Sequence, residues 1–196
     1  MLRIHYLGGG CREAHLLAGG RFFVELKAQA PQGLEALRKR LSELGASLVG
    51  VYHQVDTYFP VPQGRLKIRE VDGEKVYLIY YEREDIPTPK RNKAYLLEVD
   101  GEMKDALTKI LKPTVVVDKR REVYHIDNLR IHLDSVRGLG DFVEFELPVS
   151  GDPESVKEGK HKLREYMRLL GIEENQLISV SYSDLLLTRG PKARGR

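Results

Sequence analysis

The feature that most restricts this chain is a repeated placement of ionisable residues two apart on strand-like segments. Glu25 and Lys27, Lys67 and Arg69, Lys119 and Arg121, His132 and Asp134, and Glu144 and Glu146 all share this spacing. Side chains two apart on a strand point to the same face. The residues between them are mostly apolar, among them Leu26, Ile68, Leu133 and Phe145. In an open sheet the charged face would meet water and the apolar face would be core, and that accounts for any one pair alone. Five pairs in one chain suggest another arrangement. The sheet closes into a barrel, apolar residues pack outward against helices, and the charged faces line a lumen.

The rest of the pattern fits such an α+β fold. Strands are expected at Phe22 to Ala28, Leu48 to Tyr58, Arg65 to Val71 and Val76 to Glu82. Further strands are expected at Ala94 to Val99, Val115 to Ile126, Leu129 to Val136 and Phe142 to Val149. Asp72-Gly73 and Asp127-Asn128 mark hairpin turns. Ile86 to Arg91, with two prolines, reads as a loop. Helices are expected at Gln32 to Leu44, Gly101 to Leu111, Pro153 to about Leu170 and Ser181 to Leu187. Pro31 and Pro153 sit at helix starts, and Gly45 and Gly171 sit at helix ends.

Composition excludes several classes. The chain has 196 residues, ample for one sizeable core. No apolar run approaches a membrane span, and the first dozen residues lack a secretory signal pattern. A single cysteine, Cys11, rules out a disulfide framework and a multi-cysteine zinc site. A cytoplasmic protein is expected. The net charge of +3 becomes −1 without the last eight residues, which carry four cations and no acid. Nucleic acid binding is therefore expected only through that basic tail. Residues 1–20 are a glycine-rich N-terminal extension, 21–188 the folded domain and 189–196 a disordered tail. The run Gly8-Gly9-Gly10 is followed by no lysine or hydroxyl at P-loop spacing.

A lumen rich in arginine and lysine with several carboxylates suits a polyphosphate held with a divalent metal. Arginine presents planar forks to phosphate oxygens. Carboxylates hold Mg2+ or Mn2+, which neutralise charge on the phosphate chain.

The ordered segments FVELK (23–27), QVDTYF (54–59), LKIRE (66–70), DKRREVY (118–124), IHLDSVRGLGDFVEFEL (131–147) and SYSDLL (181–186) resemble the CYTH superfamily. That superfamily includes class IV adenylyl cyclases and thiamine triphosphatases and is also called the triphosphate tunnel metalloenzymes. The resemblance spans about Arg21 to Leu187. It implies a closed, eight-stranded antiparallel tunnel with helices packed outside. It implies Glu25, Glu144 and Glu146 as metal ligands for Mg2+ or Mn2+, and Glu25, Lys27 and Glu146 as catalytic. It implies Lys27, Lys67, Arg69, Lys119, Arg121 and Asp134 as contacts to the substrate, with Arg65 and Arg130 joining by parity. His132 is expected as a hydrogen-bond partner in the lumen rather than a ligand.

Two positions depart from the pattern of the superfamily. Phe23 stands where the first glutamate of ExExK is usual. Tyr81, preceded on the same face by Ile79, stands where a lysine is usual, and Arg83 is the nearest replacement cation. Phe23 and Tyr81 either fill the space of the lost charges or stack on a ring of the substrate. The expected function is a metal-dependent hydrolase of inorganic triphosphate, a nucleoside triphosphate or thiamine triphosphate. The alternatives are a class IV adenylyl cyclase and a non-catalytic binder of polyphosphate or RNA ends. A small-molecule triphosphate is the expected partner, and the resemblance also admits a homodimer.

Overall fold

The computed structural model describes residues 21–83 and 85–189, and only the backbone of Arg21 and Arg83. The glycine-rich start with Cys11, the tail beyond Arg189 and the Arg83 side chain lie outside the described residues. In chain order the elements are β1 (Arg21–Gln29), α1 (Glu35–Glu43), β2 (Ser47–Phe59), β3 (Arg65–Val71), β4 (Lys75–Arg83) and β5 (Lys90–Val99). They continue with α2 (Gly101–Leu111), β6 (Val115–Ile126), β7 (Leu129–Val136), β8 (Gly140–Val149), α3 (Pro153–Leu169) and α4 (Tyr182–Arg189). A short 3-10 turn, Glu174–Gln176, precedes α4.

The eight strands close into an antiparallel barrel in the order β1-β5-β4-β3-β2-β6-β7-β8. Closure leaves no free sheet edge. The order places β1 and β8 diametrically opposite β2 and β3, and β4 and β5 opposite β6 and β7. The register is set by tight turns. Asp72 and Gly73, the central residues of the turn closed by the Glu74 N–H donating to the Val71 carbonyl at 3.0 Å, both have positive φ, 53° and 74°.

Outward-facing residues of β1, β7 and β8 form the main core with α1 and α3. Val24, Leu26, Ile131, Leu133 and Phe145 are buried against Leu37, Leu41, Leu163 and Met167. Burying side chains of this size contributes roughly 1.5–3 kcal/mol each. Helix α3 starts where Asp152 accepts from the backbone N–H of Glu154 and Ser155, at 3.1 and 3.0 Å, with Pro153 next in line. Among the described residues no helix is long and apolar enough to cross a membrane.

Several element boundaries differ from the sequence reading, most by one residue and three element starts by two or more. Helix α1 begins at Glu35, because Gly33 has a φ of 80° and keeps Pro31 to Leu34 in a turn. Strand β5 begins at Lys90, within the expected loop. Its polar start, Lys90 to Lys93, is made a strand by pairing with β1, Glu25 opposite Lys90 and Phe22 opposite Lys93. Strand β8 begins at Gly140, two residues early.

Candidate active site

The parity expected from sequence is the parity of the barrel. Glu25, Lys27, Lys67, Arg69, Lys119, Arg121, Arg130, Glu144 and Glu146 all line one central cavity of about 120 Å³. That is roughly ten times what a single buried water needs. Asp56, Tyr58, Ile79, Tyr81, Asn92, Leu96 and Tyr182 share the lining. Helix α4 crosses one end of the barrel. Its Asp184 pairs with Arg65 at 2.8 Å, and Arg189 donates to the Gly138 carbonyl at 2.7 Å. Its Tyr182 enters the lumen, where the ring lies 3.8 Å from Lys27 Nζ and the hydroxyl donates to Asp134 at 2.8 Å.

Two charged clusters face each other. On β2, β3 and β6, Asp56 accepts from Lys67 at 2.9 Å, from Lys119 at 2.8 Å, and from Arg69 at 2.6 and 2.8 Å. Burial alone would raise the Asp56 pKa, but the charges of Arg69, Lys119 and Lys67 prevail and hold it well below the carboxylate range. Burial drives Lys67 well below its ordinary value, and Arg69 adds to the fall. Lys119 is pulled down to about 8, first by burial, with Asp56 opposing and Arg69 assisting.

The second cluster spans β1, β8, β7 and β6. Arg121 donates to Asp134 through two nitrogens, at 2.7 and 2.5 Å, and also pairs with Glu144. Lys27 pairs with Glu144 at 2.8 Å. Glu144 is held well below its ordinary pKa, because Lys27 and Arg121 outweigh its burial. Glu25 and Glu146 stand directly opposite each other on neighbouring strands. Asn92 donates to Glu25 at 2.7 Å, and Arg130 lies 3.7 Å from Glu146. Like charges opposed in a sheet are destabilising unless a cation joins them.

Several expected residues take other places. Asp134 is fully buried behind Arg121 rather than on the cavity surface, so it orients that guanidinium. Arg65 lies outside the cavity lining, paired with Asp85 and Asp184 at 2.8 Å each. Glu144 spends its oxygens on Lys27 and Arg121. His132 is buried, and its Nδ1 lies 3.8 Å from Glu144, beyond hydrogen-bond reach, with no partner. Burial, aided by Arg121, lowers its pKa. Phe23 carries the guanidinium of Arg130 over its ring at 5.2 Å, and the Tyr81 hydroxyl lies 3.5 Å from that of Tyr58. Asp56, Asn92 and Tyr182 were missed as site residues. The parity of Asp56 with Tyr58 in QVDTYF was a usable signal.

Among the described residues no three acidic, histidine or cysteine side chains converge on a single point to hold a metal. A smaller donor set does fit a hard divalent cation. Glu25 and Glu146 supply opposed carboxylates, and the buried Asn92 Oδ1 beside Glu25 lacks a hydrogen-bond partner. Mg2+ is commonly held by one or two carboxylates together with phosphates of the substrate.

The closed tunnel thus carries a cation cluster on one wall and opposed carboxylates on the other. The family model of the CYTH domain matches residues 23–182. The chain belongs to the CYTH domain family, a family of triphosphate-binding tunnel enzymes. It is 26% identical over 159 residues to a Methanocaldococcus jannaschii protein whose name proposes an adenylate cyclase, covering 75% of this chain and 89% of that one. It is similar to a solved Pyrococcus horikoshii protein at 30% identity and a TM-score of 0.74, covering 83% of this chain and 98% of the other. A solved Vibrio parahaemolyticus protein, named for the same cyclase activity, shares the fold at 19% identity and a TM-score of 0.70, covering 86% and 99%.

Proposed function

We propose that this protein is a divalent-metal-dependent hydrolase of a triphosphate-containing substrate bound in the lumen. The observation that carries the reading is the opposition of the two walls. Lys67, Arg69 and Lys119 gather at one point, and Glu25 and Glu146 face them across the lumen. In this reading Lys67, Arg69, Lys119, Arg121 and Lys27 grip the phosphate oxygens by charge-assisted hydrogen bonds. Glu25 and Glu146 would hold Mg2+ or Mn2+, which when bound would supply positive charge to offset the charge of the phosphate chain as the P–O bond breaks. Asp134 keeps Arg121 in a fixed plane, and Tyr182 shields the Lys27 end from water. Water attacks the terminal phosphorus as the bond to its bridging oxygen breaks; the water oxygen leaves on orthophosphate, the bridging oxygen stays on the shortened diphosphate, and the proton of the water passes to that oxygen or to solvent. Rate comes from positioning and charge neutralisation.

A second reading, an adenylate cyclase, is favoured by one observation. Part of the lumen face of β4 and β5 is apolar or aromatic, with Ile79, Tyr81, Ala94 and Leu96 beside the polar Asn92, a surface for a flat ring. The name of the Methanocaldococcus jannaschii relative agrees with it. Incubating the chain with tripolyphosphate, ATP and thiamine triphosphate, each with Mg2+ or Mn2+, separates the readings. Orthophosphate is the expected product. Cyclic AMP with pyrophosphate would replace the hydrolase by the cyclase. Tight binding without turnover would make the tunnel a binder only.

A further inference from the structure

Asp56 is 1% exposed and has no part in the reaction described above. Its Oδ2 accepts from Lys67, Lys119 and Arg69, and its Oδ1 accepts from Arg69 again. One negative charge thus holds three positive ones. An ammonium has three N–H donors and a guanidinium five, so each cation keeps donors to spare. All four side chains line the cavity. Without the carboxylate, three buried cations would repel one another, and a buried lysine relieves that by losing its proton.

We propose that Asp56 is a positioning residue for the phosphate chain, a built-in counter-anion that keeps Lys67, Arg69 and Lys119 charged and gathered at one point of the lumen. This rests on the reading of the lumen as a phosphate site. Lys119 already titrates near 8 with Asp56 in place, chiefly through burial. The other groups facing the cluster are Tyr58 on β2, Tyr77 and Tyr81 on β4, Arg121 on β6, Asp134 on β7 and Tyr182 on α4. Lys27 on β1 and Glu144 on β8 stand behind Tyr182 and Arg121. Burial lifts Tyr58 and Tyr182 well above their ordinary range, so they stay neutral. Between pH 6 and 8.5 Lys119 is the group of the cluster that changes.

The test is binding of inorganic tripolyphosphate by calorimetry at fixed Mg2+, from pH 6 to 8.5, for the wild type and Asp56→Asn. Titration of the ligand itself is common to both chains and cancels in their ratio. Each lysine whose midpoint falls by one pH unit costs tenfold in affinity above both midpoints. For Lys119, with its midpoint near 8, a one-unit fall makes the wild-type advantage grow roughly sevenfold between pH 6 and 8.5. A ratio that stays constant, whatever its size, would mean a structural role only and overturn the proposal. Absence of binding by the wild type at every pH would instead take down the phosphate reading itself. If Asp56→Asn does not melt as a folded chain, Lys67→Met is compared with Lys67→Met/Asp56→Asn, which removes one charge of each sign. The double variant is expected to lose affinity at a lower pH than the single one. Superimposable profiles would sink the proposal.

Discussion

The barrel has a clad wall and a bare wall, and they obey different rules. On β1, β7 and β8 the outward Val24, Leu26, Ile131, Leu133, Phe145 and Leu147 are buried in one core with α1 and α3, and several inward positions carry charge. Leu26 and Phe145 are buried outside, while Lys27 and Glu144 pair inside. On β4 and β5 the inward Ile79, Tyr81 and Leu96 are apolar, and the outward Tyr95 and Leu97 are 40% and 50% exposed. Helix α2, which follows β5, has no buried residue. The clad wall therefore carries stability on one face and charge chemistry on the other. The bare wall contributes shape to the lumen and little burial outside. Its stability comes from strand pairing on both sides, with β3 and with β1.

This contrast can be broken at several points. The largest effect is expected for Glu146→Gln. It should lower turnover of the triphosphate by two orders of magnitude or more, since a bound metal supplies several kcal/mol at the transition state. The melting temperature should hardly move, and steady-state kinetics beside a melting curve check both halves. On the outer face of the same strand, Phe145→Ala should cost about 3–5 kcal/mol in urea unfolding, through lost burial and a cavity. A cost below 1 kcal/mol would mean that the clad wall is not the core.

Arg69→Ala should weaken tripolyphosphate binding by about 1.5–3 kcal/mol, the worth of a hydrogen bond to a charged group. The same titration on the wild type should show saturating ligand raising the melting temperature. The acid limb of stability provides a further check. Glu122, on the outer face of β6, accepts from Arg38 at 3.0 and 2.9 Å. Hydrogen bonds from Arg38, and then from Arg120 and Tyr124, overcome its burial and bring its pKa down to about 2. A depressed folded pKa stabilises above the unfolded value of about 4.5 and is lost as pH falls through 2. Glu122→Gln should therefore flatten the stability curve between pH 4.5 and 2. A mutant that loses stability across that window as steeply as the wild type would count against it. The smallest effect is expected for Leu97→Ala on the bare wall. It should fall within about 0.5 kcal/mol, and a larger loss in unfolding would show that something covers this face.

The clad wall was legible in the sequence because its two faces differ in chemistry. Alternation such as Glu25-Leu26-Lys27 or Glu144-Phe145-Glu146 states which side is which. On the bare wall alternation alone did not tell the faces apart, because Leu78, Ile79, Tyr80 and Tyr81 are apolar or aromatic on both sides, and the resemblance put Ile79 and Tyr81 on the inner one. The start of β5 was hidden for the opposite reason. Lys90 to Lys93 has no strand character of its own and is ordered by pairing with β1. Arg65 had the parity of a phosphate ligand, yet Asp85 and Asp184 hold it outside the cavity lining. Parity fixes a face, and it does not say how far along the barrel axis a side chain lies.

A closed barrel with a charged lumen was what the resemblance to the CYTH superfamily implied; the sequence by itself determined the alternation of charged and apolar side chains and the turns. Those follow from the two-residue period of a strand and from local turn chemistry. Only the tertiary structure decided which charges meet. Asp56 joins Lys67 and Arg69 of β3 to Lys119 of β6, and Asp134 of β7 holds Arg121 of β6. Strand order and register set those partners, and both arise when the whole sheet closes on itself.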